Sequence, residues 1–265
     1  MKPMTALLGF IVLAATLTVS AQESGLRLEP APAHRLDMES LQRGARNFAN
    51  YCLNCHSAQY MRYNRLTDLG ISEQEIRDNL MFATDKLGST MTATMPKADA
   101  VAWFGVAPPD LSVEARIRGK DWLYSYLLAF YRDKKTTTGW NNLVFNNVSM
   151  PHVLWKLSGV QRLVETEYED QDKAEAAVIA AKGLALAERI NDHKYVVKTL
   201  ALDGSGTMPP VEYEGFVADL VNYLDYIAEP VRNERINIGI GVLIYLGVLL
   251  VFAYALKRAY WKDVH

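Results

Sequence analysis

From Ile236 to Leu256 the chain runs for 21 residues without a charge. No other stretch narrows the possible folds so far. At about 1.5 Å per residue a helix of that length reaches roughly 31 Å, the depth of a hydrocarbon core of about 30 Å. Lipid offers no partner to a bare N–H or C=O, so a lone span has to be helical. Only Asn237 in it is strongly polar, and it stands at the entry. The other use of such a run is a core helix, but its surface is apolar all round and nothing else in the chain could cover it. Lys257, Arg258 and Lys262 follow, with Tyr260 and Trp261 as interfacial aromatics, while Arg232 and Arg235 precede. Charge bias across the span is therefore weak.

The N-terminus supplies the orientation. Met1-Lys2 is a short positive region, Ala6–Val19 is apolar, and Val19-Ser20-Ala21 resembles a small-residue cleavage site. The run is short for a membrane span. Residues 1–21 read as a secretory signal, 22–230 as an exported domain, 236–256 as a transmembrane helix and 257–265 as a cytoplasmic tail. Half of the residues are apolar and 22% are charged, enough for a packed core. A formal charge of -2 argues against nucleic-acid binding, which calls for a basic surplus.

Within the body the apolar spacing is helical. Leu41, Ala45, Phe48 and Cys52 form one face of a helix starting near Met38, with Asp37 as its N-cap. Residues 74–82 form a short helix, and Lys120–Tyr131 a longer one with Leu123, Leu127 and Phe130 on one face. Glu175–Arg189 is alanine-rich and predicts a helix. Phe216, Leu220, Leu224 and Ile227 mark a last one, closed by Pro230. No strand run and no internal repeat is legible. The acidic run Glu165, Glu167, Glu169, Asp170 and Asp172 reads as a solvated face, or else as a docking patch for a basic partner.

The only two cysteines stand in Tyr51-Cys-Leu-Asn-Cys-His-Ser57. An exported C-x-x-C is a dithiol redox pair, half of a zinc site or, with histidine directly behind, a c-type haem attachment. Zinc lacks two further ligands, because His34, His152, His193 and His265 are scattered. A thioredoxin-like pair calls for a βαβ setting, whereas this motif ends a helix. Two thiols at this spacing can each add to one vinyl group of a porphyrin, and the adjacent imidazole then meets the iron. Cys52 and Cys55 are thus the thioether anchors and His56 the proximal ligand of one covalent haem c.

An electron-transfer haem fills its sixth position, and methionine there raises the potential relative to a second imidazole. Met95, Met150 and Met208 each precede a proline that stiffens the loop. Spacing favours Met208, just before the last helix of the body, but the residues alone leave the three open.

Further stretches resemble the cytochrome c1 family, the haem subunits of quinol–cytochrome c reductases. Cys52-Leu-Asn-Cys-His-Ser57 with Tyr60, Tyr63 and Arg65-Leu66 is similar to its haem segment. Ala107-Pro-Pro-Asp-Leu-Ser112 with Arg116 and Arg118 is similar to its second hallmark. Gly139-Trp-Asn-Asn142 and Asn146-Asn-Val-Ser-Met-Pro-His-Val-Leu-Trp155 resemble its bacterial methionine loop, and Ala228-Glu-Pro230, Tyr254-Ala-Leu-Lys-Arg258 and Trp261 its anchor. The resemblance implies a mainly α fold: a class I cytochrome c-like haem domain with long loop insertions, followed by one C-terminal transmembrane helix. It implies Met150, not Met208, as the sixth ligand, Arg118 facing a haem propionate, and Pro108 and Pro109 walling the haem. It implies electron transfer from a Rieske iron-sulfur protein to a c-type cytochrome, beside cytochrome b in a dimeric complex of the bacterial inner membrane. The haem domain would lie on the periplasmic side, and the chain would have no catalysis of its own. A membrane-anchored monohaem cytochrome serving another oxidase or reductase is the alternative. The extra cysteine pair of some members is absent, and the acidic, alanine-rich 164–190 departs from the shorter mitochondrial form.

Overall fold

The computed structural model describes residues 26–263, apart from 33, 35, 182, 192 and 193. The leader read at 1–21, His193 and His265 therefore lie outside the described residues. Strand β1 (Leu26–Arg27) precedes helix α1 (Met38–Tyr51). Then come β2 (Ala58–Arg62), a 3-10 segment (Tyr63–Leu69), α2 (Glu73–Asn79), β3 (Thr90–Met91), α3 (Lys97–Phe104), α4 (Glu114–Arg118) and α5 (Lys120–Leu128). The chain continues through β4 (Phe130–Arg132), β5 (Trp140–Asn142), the short α6 (Trp155–Ser158), β6 (Gly159–Tyr168), α7 (Gln171–Ala180), β7 (Ala185–Asn191) and β8 (Lys194–Ser205). It ends in α8 (Pro210–Ala228) and α9 (Arg232–Tyr260). Two compact units result: residues 165–199 with 26–27, and residues 28–164 with 200–263.

The larger unit is built on helices from its two ends. The Asp37 carboxylate accepts a bond from Ser40 N at 3.0 Å, the predicted cap of α1. Leu41, Ala45 and Phe48 recur on one face and are buried. That face meets α8 at Gly44, where a Cβ would lie 2.1 Å from the Asp219 carbonyl oxygen and 2.7 Å from Tyr223 Cβ. Glycine is required there because the two backbones touch. Beside the crossing, Arg43 Nε and Nη2 donate to the two Asp219 oxygens at 2.6 and 3.0 Å, a bidentate pair. The Phe48 and Tyr223 rings pack at 5.6 Å. Both are fully buried, and each such side chain contributes roughly 1.5–3 kcal/mol.

α5 stops at Leu128, short of the predicted Tyr131. Phe130–Arg132 instead pairs antiparallel with Trp140–Asn142, so the apolar residues at 130 and 131 serve a hairpin. The Glu175–Arg189 helix is corrected more strongly. α7 ends at Ala180, Gly183 takes φ +103°, and Ala185–Asn191 is a strand. The helix ends where Ala181 turns extended, and the pairing of Ala185 with Thr199 and Ala187 with Val197 outweighs alanine's helical preference. In this smaller unit, Ala174 and Val178 of α7 pack on Ala185 and Val197. Its acids are answered locally: Glu167 pairs with Lys194 at 2.9 Å, and Glu188 pairs with Lys198. Of the acidic run itself, Glu165 and Glu167 face lysines on the sheet, while the Asp170 carboxylate caps α7 by accepting from Asp172 N at 2.9 Å.

α9 is 29 residues long, about 43 Å, and includes the predicted span. Leu243, Leu250 and Phe252 are among the many apolar side chains bare along it. That exposure suits a surround of lipid.

Candidate haem site

The cysteine motif winds off the end of α1. Cys52 N still donates to Phe48 O at 2.9 Å, while Cys55 N and His56 N turn back to Cys52 O at 3.0 and 2.8 Å. Both thiols are free and half-buried. Burial pushes the Cys52 thiol up to about 12, with neighbouring Cys55 adding to it, and burial raises Cys55 as well. A disulfide-exchange enzyme needs the opposite, an attacking thiol lowered toward neutral pH. Both shifts favour the protonated thiol.

The loop after Pro108 is strapped onto this turn. Leu111 N donates to Ser57 O at 2.8 Å, Gln59 N to Asp110 Oδ2 at 3.0 Å, and Tyr60 N to Ser112 Oγ at 3.1 Å. Asp110 Oδ1 also accepts from Ser112 N at 2.8 Å, closing the loop on itself. The strap brings Pro109 O to 2.8 Å from His56 Nδ1. A carbonyl only accepts, so Nδ1 carries the proton and Nε2 keeps its lone pair for a metal. Burial lowers the His56 pKa, against a smaller upward pull from the Pro109 bond, so the imidazole is held neutral.

Met150 sits elsewhere in the same unit, packed with Phe130, Trp140 and Val148. Its sulfur accepts a hydrogen bond from Tyr126 Oη at 3.3 Å. Asn142 and Asn141 brace the loop before it. Asn142 Oδ1 accepts from Val144 N and Phe145 N, and Asn141 Oδ1 from Asn147 N, each within 3.1 Å. Buried His152 lies flat on Phe130 at 4.8 Å, and its Nε2 is 2.8 Å from Ser158 Oγ. Met208 differs: it packs against the main core beside α8, and its N–H is bonded to Leu157 O at 3.1 Å. Met95 N is bonded to Asn54 O, between the two cysteines, at 3.1 Å.

Arg118 is exposed, 3.2 Å from Glu114 and 4.8 Å over the Trp122 ring. Pro108 is half-buried and Pro109 exposed, and the carbonyl of Pro109 is what reaches the site. The thiol pair, the free Nε2 and a half-buried thioether are the donor set that a covalent haem c requires, so the residues present fit it. Trp122 and Tyr126 were not singled out from the sequence, and Asp110 and Ser112 appeared there only within the Ala107–Ser112 stretch. The strap unites positions about 50 residues apart, and only the Pro-Pro-Asp turn hinted at it.

Comparison with known proteins agrees with this chemistry. A sequence profile of the cytochrome c1 family matches residues 29–264. The chain is 44% identical over 257 residues to cytochrome c1 of Allochromatium vinosum, covering 97% of both chains. It is also 44% identical over 259 residues to a Nitrosomonas europaea protein named ammonia monooxygenase gamma subunit, covering 97% of this chain and 98% of that one. Cytochrome c1 of Rhodospirillum rubrum is 29% identical over 262 residues, with 87% and 84% covered. The chain belongs to the cytochrome c1 family, membrane-anchored electron-transfer subunits that carry one covalent haem c beside cytochrome b and the Rieske protein in the bc1 complex.

Proposed function

We propose that Cys52 and Cys55 anchor the haem, that His56 and Met150 are its two axial ligands, and that the electron leaves for a c-type cytochrome on the periplasmic side. The observation that carries this reading is the His56–Pro109 bond, which leaves Nε2 free immediately behind the cysteine pair. Bound haem c supplies one-electron exchange between ferric and ferrous iron. The protein does the rest. The strap fixes the ring of His56, the cluster of Phe130, Trp140 and Val148 supports the thioether, and Met150 as second ligand would keep substrates off the iron. Arg118, at the end of α4, offers a guanidinium to a propionate, and Pro108 and Pro109 give that side a rigid wall. The leader at 1–21 supports a domain placed outside the cytoplasm. Arg232 and Arg235 precede the span and Lys257, Arg258 and Lys262 follow it, so the reading of a cytoplasmic tail rests on the leader. The resemblance supports a dimeric complex.

Ligand exchange tests the site. Met150→Leu is expected to retain the covalent mass but lose the thioether-ligation band and turn partly high-spin, while Met208→Leu keeps the band. The reverse result would overturn the assignment. The name of the Nitrosomonas relative carries a second reading, service to another complex. Purification of the membrane assembly separates the two: cytochrome b and a Rieske protein accompany the chain in the first and not in the second.

A further inference from the structure

We propose that Tyr126 is a positioning residue for the Met150 thioether, its hydroxyl fixing the sulfur by an O–H···S bond at the end of an aromatic column. The inference rests on Met150 being the iron ligand and adds to it the group that sets how the sulfur is presented.

Four residues spaced by four build the column: Arg118, Trp122, Tyr126 and Phe130. Residues four apart share a helix face, and Trp122 and Tyr126 both belong to α5. The Arg118 guanidinium lies 4.8 Å over the Trp122 ring. Trp122 stacks on Tyr126 at 5.0 Å with 9° between planes. Tyr126 meets Phe130 edge-on at 5.1 Å and 70°, and Phe130 stacks flat on His152 at 4.8 Å and 3°. The column thus runs from the proposed propionate arginine to the loop that holds Met150.

The phenol ring is held on one face by an indole and at its edge by a phenyl. Its backbone carbonyl is fixed by Asn142 Nδ2 at 2.8 Å. A ring wedged in this way cannot swing about χ1, the torsion that sets where its hydroxyl lies, and the Met150 sulfur is there at 3.3 Å. Thioether sulfur is a weak acceptor, and an amide or a water would ordinarily compete better for a phenol. Strong geometric selection of a weak partner points to a role in placing that partner. A donor on the sulfur also draws electron density from it. The sulfur then donates less to a metal, which favours the reduced state, so the bond raises the potential.

Tyr126→Phe isolates the hydroxyl, since phenylalanine keeps the stack on Trp122 and the edge contact with Phe130. In the haem-loaded chain, the expected result is an unchanged covalent mass, a retained thioether band, a lower reduction potential and a displaced methyl resonance of the ligating methionine. Met150→Leu is measured beside it. If the band is lost in Met150→Leu while potential and methyl resonance stay unchanged in Tyr126→Phe, the inference fails alone. If the band survives Met150→Leu, the ligand reading fails and takes the inference with it.

Discussion

At the residue scale, one carboxylate governs how His56 is held. Asp110 accepts from Gln59 N and Ser112 N through its two oxygens, closing the loop whose carbonyl orients His56. Asp110→Ala removes both bonds. At about 0.5–1.5 kcal/mol each, the expected loss is about 1–3 kcal/mol, read as a lower urea midpoint with an unchanged slope. Asp110→Asn, which keeps an acceptor oxygen, should lose less. The cysteine motif itself was legible because its chemistry is local: thiols and imidazole within five positions. The carbonyl that sets the imidazole tautomer comes from 53 positions away, and no local spacing could have reported it. For the same reason the residues alone could not choose among Met95, Met150 and Met208. The hydroxyl of Tyr126 reaches the Met150 sulfur only through tertiary packing.

At the scale of elements, the β4–β5 hairpin carries a pH signature. Asp133 accepts from Asn141 Nδ2 at 3.0 Å and from Lys135 N at 2.9 Å. The bond from Asn141, and next that from Lys135, hold its carboxyl below the usual carboxylate range. The unfolded chain then binds the proton more readily, so this contribution is complete above the ordinary carboxylate pKa and fades as pH falls through the lowered one. Thermal midpoints of wild type and Asp133→Asn should differ at neutral pH and converge in acid. A gap of constant size would dissociate the hairpin from this carboxylate. Legibility divides by the kind of signal. α1 and α8 were read correctly because each has an apolar stripe that a partner helix buries. α7 and β7 were merged because alanine content reports intrinsic preference, whereas cross-strand pairing decides the outcome. The end of α5 was overrun since Phe130 and Tyr131 suit a helix face and a buried strand equally well.

For the molecule as a whole, the substantial contacts of α9 are with the 3-10 turn that follows it, Trp261–Asp263. The haem-bearing unit closes on α8 before the span begins. A chain ended after residue 231 is therefore expected in the soluble fraction with the same haem spectrum and potential as the full-length protein. Loss of the thioether band in that truncated form would assign the span a structural duty. The crossing at Gly44 governs timing as well as packing. Arg43 and its partner Asp219 stand 176 positions apart, so the two halves of the crossing are made far apart in time. At about 5–20 residues per second of synthesis, the gap is roughly 10–35 s. Throughout that interval the helix that leads into Cys52 and Cys55 lacks the partner that buries its apolar face. The clasp of Arg43 on Asp219 is thus among the last contacts the larger unit can make.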